Sequence, residues 1–212
     1  MSFLNQLKSQ ASALQDQQRS QVQNFETSIA QTEAACLKVW YYLSDLVRQL
    51  DVNEPAGAKF TLDGKTPRPA MKLTSFRADE RKKTLRDKGV HDYLAMGWNI
   101  VSQFGAPVGG TVSANFPPDL QRIEKRLAKG GVKHERTEPR HPGKSSLLAV
   151  RFDHITESRG SMKVSAGHEN AKLVFRVTNA NGFEILNSSW PAALVQTDTL
   201  DELAKTIRRR EW

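Results

Sequence analysis

The sequence predicts an α+β fold in which a long N-terminal amphipathic helix packs against a predominantly antiparallel sheet, with two further helices. Three observations carry this prediction. Residues 1–54 contain no Gly or Pro, the second half of the chain holds short runs of alternating apolar and polar residues, and two stretches have clear helix start and stop signals. We therefore divide the chain into a helical segment, 1–54, and an antiparallel α+β domain, 55–212.

The N-terminal segment carries an apolar stripe that repeats every third or fourth residue from Val22 to Leu50. This spacing is typical of one face of a helix. Residues 15–21, between Leu14 and Val22, are rich in glutamine and include no apolar residue. The register of the apolar stripe therefore shifts by one residue there, as in a stutter. Pro55 and Gly57 are expected to end the helix.

The length of this helix separates it into two parts. Fifty helical residues span roughly 75 Å, whereas a compact domain of the remaining residues is about 40 Å across. We expect residues 25–50 to pack on the sheet, and residues 1–24 either to project or to fold back as a helical hairpin. A stripe of exposed leucines is an aggregation liability unless another surface packs against it. The predicted element for self-association or for binding a protein partner is therefore Phe3, Leu4, Leu7, Ala11 and Leu14.

Alternation with a period of two predicts the strands. It is clearest in "SSLLAVRFDH", "SMKVSAG", "AKLVFRVTN" and "GFEILN", which we expect to form a four-stranded meander with a two-residue turn at Asn181 and Gly182. Further strands are predicted in "AKFTLDG", "AMKLTSF", "YLAMGWNIV" and "GTVSANF".

Two helices with start and stop signals are predicted outside the N-terminal segment. "PPDLQRIEKRLAKGG" has Pro at its start and Gly at its end. "TLDELAKTIRRREW" has a capping box formed by Thr199 and Glu202, with basic residues at its C-terminal end. The basic stretch 77–88 has acidic residues first and basic residues last, which favours a short solvated helix.

The net charge of +8 is uneven, since residues 1–54 carry −2 and residues 55–212 carry +10. A basic domain favours anionic partners. An alternative function is therefore binding of nucleic acid without sequence specificity, through charged positions on the strands and on 77–88. The candidate residues are Arg81, Lys82, Lys83, Arg151, Lys163, Lys172 and Arg176.

No reaction signature is present in the sequence. The histidines lack the spacing of metal ligands, and Cys36 lies on the apolar stripe, so we predict no catalytic residue, no metal and no cofactor. A weaker alternative is a small-ligand pocket between helix 25–50 and the sheet, with Trp40 and Trp98 as walls. A single cysteine and the lack of a membrane-length apolar run favour the cytoplasm. The first expectation is a non-catalytic intracellular protein that self-associates or binds a protein partner through its N-terminal helix.

Overall fold

The computed structural model describes residues 3–140 and 149–207, with side chains from residue 8 to 140 and from 149 to 207. Its α+β architecture confirms the predicted fold class. In chain order the elements are α1 (Phe3–Asn53), β1 (Met71–Leu85), β2 (Lys88–Ser102), β3 (Gly109–Ala114), α2 (Pro117–Gly130), β4 (His134–Thr137), β5 (Val150–Ile155), β6 (Ser158–Gly167), β7 (Lys172–Thr178), β8 (Ile185–Pro191), a 3₁₀ turn (Ala192–Leu194) and α3 (Thr197–Lys205).

The strands form two antiparallel sheets. The larger sheet has the order β1-β2-β6-β7-β8, and the smaller has the order β3-β5-β4. The C-terminal part of α1 packs against β1 and β2 and reaches the 3₁₀ turn. Its stripe is buried there, because Cys36, Val39 and Leu43 are each at most 1% exposed. Helix and sheets thus share one core, which includes Leu73, Leu94, Ile100, Met162 and Phe175.

The prediction of a helix over 77–88 is wrong. These residues belong to a long hairpin formed by β1 and β2. The outer part of β1 contains few apolar residues, so its sequence shows neither the period of 3.6 of a helix nor the period of two of a strand. Pairing with β2 supplies its backbone hydrogen bonds instead, for example where Arg81 lies opposite Tyr93. Arg86 and Asp87 make the two-residue turn, both with positive φ, as a type I′ turn requires.

One predicted strand pairing and one predicted strand are also wrong. The strand predicted in "SSLLAVRFDH" is present as β5, but it belongs to the smaller sheet, so the meander contains only β6, β7 and β8 and continues to β2. Alternation shows that one face of a strand is buried, but it does not choose the neighbouring strand. Residues 58–64 form no strand, although Phe60 and Leu62 are buried, because a loop around Asp63 turns the chain there.

Two predicted local motifs differ as well. The connection from β7 to β8 is six residues long, with positive φ at Asn179 and Gly182 rather than a two-residue turn at 181 and 182. Helix α3 begins two residues before Thr199, whose hydroxyl donates to the Leu194 carbonyl oxygen, so no capping box forms. Helix α2 ends as predicted, with Gly131 in the left-handed conformation. None of the helices among the described residues has the length and apolar character to cross a membrane.

Candidate functional site

The first part of α1 extends beyond the sheet. Every described side chain from residue 8 to residue 24 is exposed, and we call this segment the overhang. Among its apolar residues, Leu14 is 60% exposed and Val22 is 46% exposed. Ala11 is exposed too, whereas the side chains of Phe3, Leu4 and Leu7 lie outside the described residues. Ala11 and Leu14 of the candidate interaction element are therefore exposed to solvent, and they lie on a continuous helix.

The apolar face of the overhang continues the buried face of α1. Leu14, Gln18 and Val22 follow one another at steps of four, and the stripe then resumes steps of three and four through Phe25 and Ile29. A stutter of this kind keeps the stripe on the same side of a continuous helix. The same face is thus buried against the sheet after residue 28 and uncovered by described residues before residue 25.

The β1–β2 hairpin lies along α1 and reaches the C-terminal end of the overhang. The Arg86 guanidinium lies 4.3 Å from the centroid of the Phe25 ring, and Lys88 Nζ lies 4.0 Å from a Glu26 carboxylate oxygen. We call residues 81–88 the hairpin tip, which carries a net charge of +4. The structure therefore places a basic cluster at the C-terminal boundary of the overhang.

A buried network that the sequence analysis missed holds α1 on the sheet. One Glu33 carboxylate oxygen lies 2.7 Å from His91 Nδ1, and the other lies 2.8 Å from His168 Nε2. The backbone N–H of His91 also donates to Glu33 at 3.0 Å. Burial by itself raises the pKa of Glu33, but the hydrogen bonds from His168 and His91 together hold it below its usual value. Helix α1, strand β2 and the β6–β7 turn thus meet at one carboxylate.

The neighbourhood of Glu33 also offers a set of potential metal ligands. Glu33, Cys36 and His91 each place one ligand atom within 4.8 Å of the other two. Burial, with the nearby Glu33 charge, raises the pKa of the Cys36 thiol to about 12. A metal would require the thiolate, whereas the histidine contacts to Glu33 already have the lengths of hydrogen bonds. As it stands, the cluster is a hydrogen-bonded brace.

The candidate polyanion-binding residues lie in several places. Lys163 and Arg176 are directly opposite each other on β6 and β7, on the face of the larger sheet that points away from the core. Neither forms an ion pair with a described residue, and Lys163 Nζ lies 4.3 Å from the Tyr93 ring centroid. Lys172 lies at the end of the same face, opposite Gly167. We call this surface the outer sheet face.

The other candidate basic residues have carboxylate partners. Arg151 is on the smaller sheet and binds Asp153, with Nη2 2.8 Å from a carboxylate oxygen. At the hairpin tip, Lys83 lies 3.1 Å from Asp92 and Arg81 lies 3.9 Å from it. Lys82 lies 3.6 Å from Glu80. The structure therefore does not bring all seven residues onto one surface.

The two predicted pocket walls are packing residues. Trp98 is 3% exposed and its indole lies directly on Gly160, where an added Cβ would come within 2.1 Å of the ring. The Phe76 ring stacks on the Trp98 indole, with ring centroids 6.1 Å apart. Trp40 is partly buried against the core. Arg68 is instead a buried arginine beside a cavity, which the sequence does not predict because a lone arginine in a loop carries no pattern.

Comparisons of the chain with protein-family models, with curated proteins and with solved structures found no match.

Proposed function

We propose that this protein is a non-catalytic protein that self-associates through α1, with the overhang of one copy pairing against the overhang of a second copy. The observation that supports the proposal is the uncovered apolar face of residues 8–24, which continues the face that the sheet buries farther along the same helix. A second copy offers a face of the same kind, so that pairing removes Leu14 and Val22 of both chains from water.

The charge distribution favours this place for contact between copies. The chain has a net charge of +8, but residues 8–24 contain only Lys8, Asp16 and Arg19 as charged groups. Two overhangs therefore approach with little repulsion, whereas two basic surfaces repel each other.

The hairpin tip favours an antiparallel arrangement. In a parallel pair the two tips, each with a net charge of +4, would lie side by side. In an antiparallel pair centred near Leu14 they lie at opposite ends of the paired helices, because each tip contacts its own helix at Phe25. Such a pair is isologous and closes with two-fold symmetry.

The test uses light scattering coupled to size-exclusion chromatography. We expect the wild type to have twice the monomer mass of 23.8 kDa, and the variant Leu14→Glu/Val22→Glu to have the monomer mass. Ser9→Glu/Ser20→Glu is the matched control, because it adds the same two charges on the opposite side of the overhang. We expect this control to retain the mass of the wild type.

Deletion of residues 1–24 provides a second arm. It removes no described side chain that contacts the core, so the shortened protein should remain folded by circular dichroism while its mass falls to that of one chain. A wild type of monomer mass, or a mass that neither the deletion nor Leu14→Glu/Val22→Glu reduces, contradicts the proposal.

A second candidate function is binding of nucleic acid without sequence specificity on the outer sheet face. Lys163 opposite Arg176 favours it, because like charges directly across two strands are destabilising unless an anion offsets them. Phosphate groups would supply that anion. Few aromatic side chains accompany these charges, so base recognition is not expected.

Retention on a polyanion column tests this candidate. If the three cations of the outer sheet face contact phosphates, the slope of log affinity against log salt should be near −3. Replacing Lys163, Lys172 and Arg176 by Glu should abolish retention, while Lys8→Glu/Lys38→Glu/Arg48→Glu, with the same charge change on α1, should only weaken it. A slope near zero, or equal retention of the two variants, contradicts sheet binding.

A further inference from the structure

Arg68 is a buried arginine without a carboxylate partner among the described residues. It lies in the loop before β1 and is only 9% exposed. Its Nη1 donates to the carbonyl oxygen of Thr156, and its guanidinium carbon lies 4.8 Å above the centroid of the Phe183 ring. These contacts fix the plane of the guanidinium, but none of them neutralises its charge.

Along its remaining edge this guanidinium has no partner among the described residues. Both Nε and Nη2 are buried without a hydrogen bond to any of them. These two nitrogens form one side of the planar group, and their N–H bonds are parallel, which matches the two oxygens of a carboxylate or a phosphate. Burial lowers the pKa of Arg68 to about 10, so the group still carries its charge at neutral pH. A buried charge without a partner is costly for the fold.

A cavity of about 150 Å³ adjoins Arg68. Its lining includes the loop before β1, the start of β3 and residues from the end of β5, among them Gly110, His154 and Thr156. His154 Nδ1 is a second buried nitrogen for which the described part of the chain offers no hydrogen-bond partner. Burial, with the Arg68 charge, lowers the pKa of His154. Two unsatisfied nitrogen-bearing side chains thus line the same cavity.

The carboxylate that lines the cavity is already engaged. Asp63 accepts hydrogen bonds from the backbone N–H groups of Lys65 and Thr66 at 2.8 Å and 2.7 Å, and from the Thr61 and Thr66 hydroxyls. Burial raises the pKa of Asp63, but these bonds outweigh it and lower the pKa to about 2. Asp63 therefore stabilises its own loop and leaves the Arg68 edge unpaired.

We propose that this cavity binds a small oxyanion, with the Nε–Nη2 edge of Arg68 as its bidentate anchor and His154 as a further contact. At about 30 Å³ for each water, the volume corresponds to roughly five waters, which is the size of acetate or inorganic phosphate. The ligand would supply the two acceptors that the guanidinium lacks and would neutralise a charge that the fold has buried.

Gly110 sets the position of His154 beside this anchor. An added Cβ at Gly110 would come within 2.9 Å of the imidazole ring, closer than such contacts occur. The ring must therefore move in Gly110→Ala, and the cavity must change shape. This variant alters the site without touching Arg68.

The experiment is a titration followed by thermal unfolding and by isothermal calorimetry, at constant ionic strength. Sodium acetate and sodium phosphate are separate arms, with sodium chloride as the reference salt. A ligand of four or five heavy atoms binds with micromolar affinity at best, so titrations from about 1 μM to about 50 mM cover the range. We expect a saturable rise in melting temperature with one of the two anions, and which one it is distinguishes a carboxylate site from a phosphate site.

Variants of the anchor make the test specific. We expect Arg68→Met to lose the ligand-dependent rise, and Arg68→Lys to bind at least tenfold more weakly, because a lysine keeps the charge but lacks the planar edge. Gly110→Ala should also weaken anion binding. If Arg68→Met does not fold, this variant tests the site in its place. Arg48→Met, at an exposed position of α1, should respond like the wild type. No saturable response to either anion, or equal responses of wild type and Arg68→Lys, would overturn the proposal.

Discussion

Glu33 joins three elements that are far apart in the sequence. It lies on α1, and it accepts hydrogen bonds from His91 on β2 and from His168 in the turn after β6. The other ring nitrogen of His91 lies 3.2 Å from a Glu80 carboxylate oxygen. Carboxylates accept hydrogen bonds only, so both contacts are hydrogen bonds when the ring carries a proton on each nitrogen. The helix is thus fixed to the sheet by polar contacts as well as by its apolar stripe.

This arrangement predicts a pH-dependent contribution of Glu33 to stability. Its pKa in the folded protein is lowered, so the stabilisation is present above the unfolded value of about 4.3 and is lost as pH falls through the folded pKa. Glu33→Gln should reduce the free energy of unfolding by about 2 kcal/mol at neutral pH. Urea unfolding from pH 7 down to pH 3 measures the difference.

The matched control is Glu26→Gln, which removes a carboxylate from the same helix at an exposed position 4.0 Å from Lys88. Surface pairs of this kind contribute at most about 1 kcal/mol. If the difference between wild type and Glu33→Gln were the same at pH 3 and at pH 7, the brace would not depend on the charge of Glu33.

Among the elements, the β1–β2 hairpin departs most from the sequence prediction. Residues 77–88 have the charge order of a helix, but each strand of the hairpin is fifteen residues long and the outer part of the hairpin extends along α1. A register shift between Thr74 and Arg77, with positive φ at Ser75, bends β1 where it leaves the core. Asp51 of α1 accepts a hydrogen bond from the Phe76 N–H at this bend, at 3.1 Å.

The turn of this hairpin contains residues that tolerate its geometry poorly. Asp87 has φ of 61°, a conformation that glycine adopts without strain. We expect Asp87→Gly to raise the free energy of unfolding by about 0.5–1 kcal/mol, measured by urea unfolding. Thr84→Gly, in the adjacent strand, should lower it by a similar amount, because glycine weakens a strand interior. Loss of stability in both variants would contradict the predicted relief at Asp87.

At the scale of the whole molecule, a helix of 51 residues is attached to a body, and the described side chains of residues 8–24 on this helix are all exposed. The hairpin tip ends beside Phe25, and the overhang continues alone. Basic charge is concentrated at the tip and on the outer sheet face, while the overhang is nearly neutral. The proposed pairing of overhangs and the proposed oxyanion cavity use separate parts of the molecule, so each can be tested in a variant that leaves the other intact.

The amino-acid sequence by itself determined the long helix, α2 and most strands, because Gly and Pro placement and the periods of 3.6 and 2 are local properties of a chain. Only the tertiary structure decided which strands are neighbours, that 77–85 pairs with β2, and that Glu33 meets two histidines. Those features depend on contacts between distant residues, which no local period encodes. The same holds for Arg68, since its guanidinium contacts Thr156 and Phe183, which lie far along the chain.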